Sequence, residues 1–153
     1  MRRAFVPFLL ALLVAALAVT YFGGSTTLAR ALPNVALAAP RSFDGPGVGL
    51  GGTLSPYGVA LSELVARGDT AALRRLADRE DVESQLYGLT GLSVLAPAEY
   101  EARASALRQS SEPVPFRYGC MFGGSDEVGY VISLIDDVRF GEGYVRGQEL
   151  GAG

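Results

Sequence analysis

The chain has 153 residues, enough for one folded domain, with Lys+Arg 13, Asp+Glu 16, His 0 and Cys 1. All its basic residues are Arg, so the histidine base, the histidine zinc site, the lysine Schiff base and the phosphate-loop lysine are excluded. A single cysteine closes no internal disulfide and supplies no thiolate cluster, and no cofactor or metal is expected.

Arg2 and Arg3 precede an apolar run from Phe8 to Val19, and no charge appears between Arg3 and Arg30. A short basic start and an apolar centre mark an export signal. Small-x-small patterns at Ala29-Arg30-Ala31 and Ala36-Leu37-Ala38 offer cleavage positions. The rival reading is a retained anchor. Residues 4–22 come close to the roughly 20 apolar residues of a membrane span, with Tyr21 and Phe22 suited to its far interface. Residues 1–31 are therefore read as signal peptide or membrane anchor, with membrane contact through residues 4–22 if it stays. Either reading sends the body out of the cytoplasm, to the periplasm, the exterior or the outer membrane face. Arg2-Arg3-x-Phe5 resembles a fragment of a twin-arginine export signal. No cysteine lies near the run for a lipid anchor.

Beyond residue 40 the chain carries ten arginines against all sixteen acids, a balance of −6. That sign repels phosphate backbones and excludes nucleic acid as an expected partner. Residues 32–54 read as a Pro/Gly-rich linker. Gly47-Val48-Gly49-Leu50-Gly51-Gly52 fits G-x-G-x-x-G, but the dinucleotide fingerprint needs a strand before it and a βαβ unit around it. The composition before it suggests a tether.

The expected helical domain spans 55–140. Ser55-Pro56 is a cap followed by proline at the first helical position, with Tyr57, Leu61, Leu64 and Val65 on one face and Gly68 as a stop. Asp69 or Thr70 caps a second helix carrying Leu73 and Leu76. A third starts at Asp81, and its uncharged stretch from Ser84 to Ala98 predicts a central helix covered by neighbours. Gly88 and Gly91 each cost about 1 kcal/mol of helix propensity, which a close-packed neighbour would offset. Pro97 opens a fourth helix with Tyr100, Ala104 and Leu107 inward. The resulting expectation is a mainly α fold of stacked antiparallel helical hairpins.

A short irregular or β segment follows. Phe116, Tyr118, Cys120 and Phe122 alternate as in a half-buried strand, and Gly123-Gly124-Ser125 reads as a turn. Residues 126–137 fit helix or strand, and Ser125-Asp126-Glu127 as a helix start favours helix. Residues 141–153 read as a flexible tail.

Leu73-x-x-Leu76-x-Asp78, then Asp81-Val82 and Leu86-x-x-Leu89, resembles one HEAT-type helical repeat over residues 71–92. That resemblance implies helix-pair packing and a protein-binding surface. The stretch from Leu86 to Pro97, with Gly119-Cys120 after it, resembles small exported bacterial proteins of unassigned role and implies no activity.

Cys120 reads as a buried small apolar residue, with an intermolecular disulfide as its functional alternative. The cluster Asp78, Arg79, Glu80, Asp81, Glu83 lacks the glycine of a calcium loop. It reads as a charged turn, and Asp78, Arg79, Glu80 and Glu83 are the candidate interaction surface. Gly123-Gly124-Ser125-Asp126-Glu127 lacks the last glycine of a nucleophile elbow and any histidine to activate Ser125. Asp136-Asp137 reads as a solvated helix end. The leading expectation is a non-enzymatic exported interaction or accessory protein that binds a protein and no small molecule. A single-span anchored accessory subunit and a carboxylate-based hydrolase or lyase are the alternatives.

Overall fold

Capping chemistry places the helices near where the sequence suggests. The computed structural model describes residues 26–48, 52–119, 124–137 and 140–145. Ser55 accepts the Gly58 amide at 3.2 Å, with Pro56 at the first position of the helix behind it. Asp69 accepts from the Ala72 amide at 2.9 Å, and Asp81 from the Ser84 amide at 3.2 Å. Each cap satisfies an amide that the first helical turn leaves unpaired.

In chain order the elements are α1 (Thr26–Ala31), α2 (Pro33–Ala36), β1 (Phe43–Val48), α3 (Pro56–Ala66), α4 (Thr70–Ala77), α5 (Val82–Leu95), α6 (Pro97–Leu107), β2 (Pro113–Gly119), β3 (Gly124–Glu127) and α7 (Val128–Asp136). A short helix, α8, covers 140–145. The fold is mainly helical, with one small mixed sheet among the described residues. Its strand order is β1-β2-β3, β1 parallel to β2 and β2 antiparallel to β3. A parallel pair needs a long crossover. Helices α3 to α6 supply it.

Helix α5 is central, as its uncharged stretch predicts. Leu86, Tyr87, Leu89 and Leu92 are at most 1% exposed, and α5 packs against α3, α4, α6, α7 and the sheet. Its glycines explain the closeness. A Cβ on Gly88 would sit 2.6 Å from the Leu73 carbonyl oxygen, and one on Gly91 would lie 2.7 Å from a Leu73 methyl carbon. The propensity lost at both positions lets the α4 backbone and Leu73 approach directly.

The stretch 32–54, a tether by composition, instead holds α2 and β1, and Leu37 and Phe43 are fully buried. Pro46 is tolerated because β1 is an edge strand. Gly47 takes φ +87, a left-handed conformation open to glycine, and the pairing slips between Asp44 and Val48. The Val48 amide then donates to the Thr53 carbonyl at 2.8 Å. Pro46 and Gly47 here build an irregular edge strand. A strand therefore does precede the glycine pattern, but Gly47 lies inside it. The next helix begins only at Pro56, which has no amide to offer a phosphate.

The tail from 141 is likewise corrected, because residues 141–145 lie in α8 and Tyr144 is 1% exposed. Residues 128–136 are helical, as favoured, with a different start. Ser125 and Asp126 belong to β3, and Glu127 makes no capping bond. Gly124, assigned to a turn, is also in β3. The leader's apolar run, Cys120 and the 146–153 part of the tail lie outside the described residues. Among those described, no helix is long and apolar enough to cross a membrane.

Candidate functional site

Two arginine–carboxylate assemblies hold the chemistry-bearing side chains. The first follows from strand register, since β1 and β2 pair Asp44 with Arg117. Arg117 Nε and Nη2 donate to Asp44 Oδ1 at 2.7 Å and Oδ2 at 2.6 Å, and Ser42 Oγ donates to Oδ1 at 2.8 Å. The Asp44 side chain is 0% exposed. Its main chain is held as well. The Tyr87 hydroxyl accepts the Asp44 amide at 2.9 Å and donates to the Ser42 carbonyl at 3.2 Å. The Tyr144 hydroxyl donates to the Asp44 carbonyl. Two phenols thus satisfy the edge of β1 where a neighbouring strand would otherwise bond.

Burial, and then the nearby Asp44 charge, push both the Tyr87 and Tyr144 phenols well above their ordinary range. The hydrogen bonds that Arg117 donates to Asp44 raise its guanidinium. Phe43 lies 4.9 Å from the Tyr87 ring and 5.9 Å from that of Phe116, which completes an apolar wall. This is a clamp between strands. Each Asp44 carboxylate oxygen already has a donor.

The second assembly borders a cavity of about 420 Å³, whose walls include Val94, Tyr100, Glu101, Ile135, Asp136 and Glu142. Arg108 bridges two of these carboxylates. It donates to Glu101 Oε1 and Oε2 at 2.8 and 2.7 Å, and to Asp136 Oδ1 and Oδ2 at 3.0 and 3.1 Å. The Tyr100 hydroxyl donates to Asp136 Oδ1 at 2.7 Å. The Arg108 hydrogen bonds hold Glu101 and Asp136 below the usual carboxylate range. Burial, and then Asp136, raise the Tyr100 phenol. Acid–base hydrolysis needs one carboxyl kept protonated. Both bridged carboxylates are instead shifted towards the ionised form, and Arg108 joins α6 to α7 through them as a helix-to-helix brace.

A smaller cavity of about 290 Å³ is lined by Tyr118, Leu134, Asp137 and Phe140. Among the described residues no group of three acids or cysteines could hold a metal ion.

The expected surface residues fall on the α4–α5 turn. Asp78 caps the end of α4 and pairs with Arg103 at 3.4 Å. Arg79 pairs with Asp81 at 2.7 Å, and its carbonyl accepts from Gln85 at 2.6 Å. Glu80 is exposed, and Glu83 lies in the first turn of α5. Asp136 is no freely solvated helix end, since Arg108 and Tyr100 hold it. The sequence does carry a signal for Asp44 and Arg117. Asp44 is the lone charge between Arg41 and Glu63, and Arg117 the lone charge between Glu112 and Asp126. No family model matches the chain, and no curated protein or solved structure is significantly similar to it.

Proposed function

We propose that the chain is an exported, non-enzymatic interaction protein that presents a helical-hairpin surface to a protein partner in the cell envelope. The observation that carries the non-enzymatic half is the bridging of Glu101 and Asp136 by Arg108, which ties up two of the three carboxylates bordering the cavity. The basic start and apolar run of the leader support export. The balance of −6 beyond residue 40 supports a partner that is neither nucleic acid nor strongly acidic.

The proposed surface is the HEAT-like stretch 71–92, which carries Asp78, Arg79, Glu80 and Glu83, with α6 beside it. Ion pairs there, such as Arg74–Glu99 at 2.6 Å, suit the polar rim of an interface. A single-span anchored accessory subunit is the second reading, favoured by the near-span length of residues 4–22.

The test is co-purification of the full chain from its native envelope after cross-linking. A defined partner should be captured, and the combined Glu80→Arg, Glu83→Arg variant should capture several-fold less. Equal capture by that variant would move the surface elsewhere. A monomer with no partner in any fraction would end the interaction reading.

A further inference from the structure

The two small-x-small sites read above for leader removal lie in or at the end of folded elements. Ala29-Arg30-Ala31 closes α1, and Ala36-Leu37-Ala38 spans the end of α2. These elements belong to the core. Ala29 and Leu37 are 0% exposed and Ala36 is 7% exposed, while α1 and α2 both pack against α3. The Arg30 carbonyl accepts from Arg67 Nη2 at 2.7 Å, which ties α1 to the end of α3. A cut after Ala31 would divide Leu32 from Leu28, whose carbonyl accepts the Leu32 amide at 2.8 Å. A cut after Ala38 would remove Leu37 and all of α2. Cleavage before folding brings no relief, because the body would then fold without side chains that fill its core.

We infer that residues 26–38 belong to the mature protein and that neither Ala31 nor Ala38 is a processing site. The inference rests on the export reading given above. Retention of the leader as an anchor keeps α1 and α2, and so does any cut before Thr26.

The test is the intact mass of the full chain, tagged at its C-terminus and recovered from the envelope and the medium of a bacterial host. A first residue at Thr26 or earlier, Met1 included, is the expected result. A first residue at Leu32 or Ala39 overturns the inference while leaving export intact. Met1 recovered only from the cytosol overturns the export reading, and the inference falls with it. Ala31 and Ala38 are both exposed, so Ala31→Gln with Ala38→Gln removes the small residue from each site without touching the core. Its mature N-terminus should match that of the wild type, and a longer product in the variant alone overturns the inference.

Discussion

Arg117 and Arg108 do similar things in different surroundings. Each guanidinium makes short bonds to carboxylate oxygens, and each ties together elements distant in sequence. Their partners differ in exposure. The Asp44 side chain is 0% exposed, whereas those of Glu101 and Asp136 are 63% and 35% exposed. What a broken pair costs depends on what it leaves behind. An abandoned Asp44 stays in the core with its charge, but an abandoned Glu101 turns to water.

The largest effect should come from Arg117→Ala. It leaves a buried carboxylate with Ser42 as its remaining side-chain donor, at a cost of about 3–5 kcal/mol. Urea unfolding measures this, and a loss below 1 kcal/mol would erase the contrast between the assemblies. The comparison sharpens with Asp44→Leu combined with Arg117→Met. Removing both charges together should recover most of the stability, because no unpaired ion remains.

Next come the two phenols at the edge of β1. Tyr87→Phe strips the acceptor from the Asp44 amide, and Tyr144→Phe strips the donor from its carbonyl. Each leaves a buried main-chain group unmet, for about 1–3 kcal/mol. The same phenols set the alkaline limit. Their folded values are raised, so the associated stability is complete below the ordinary phenol value of about 10. It drains away as pH rises beyond that. Absorbance titration should find Tyr87 and Tyr144 ionising only together with unfolding. Early ionisation of either would mean that the edge of β1 is open to solvent.

The contrast between the assemblies also separates what the sequence revealed from what it hid. Caps and apolar periodicity are local, and Ser55, Asp69 and Asp81 begin helices by contacts within a few residues. Gly88 and Gly91 were legible because glycine in an apolar helix needs a reason. Strand β1 was hidden, since its hydrogen bonds come from Arg117, Tyr87 and Tyr144, each more than forty positions away. Composition then spoke first. Pro46 and Gly47 read as flexibility when their roles are an edge position and a left-handed turn. Tyr144 was hidden for the same reason, its glycine-rich surroundings reading as a frayed end. Long-range pairing of isolated charges leaves little local pattern.

The smallest effects belong to the Arg108 brace. Glu101 and Asp136 have folded values below the usual carboxylate range, so their contribution is complete above about pH 4. It is lost as pH falls through those lower folded values. The acid limb of stability should therefore steepen below about pH 4, and high salt should blunt it because the groups meet solvent. Glu101→Gln should flatten part of that limb while shifting the urea midpoint at pH 7 far less than Arg117→Ala does. The Tyr100 hydroxyl and Arg108 still hold Asp136 in that variant, so the α6–α7 contact survives. A Glu101→Gln variant as damaged as Arg117→Ala would mean that the brace is shielded from water, and exposure would no longer explain the difference between the two arginines.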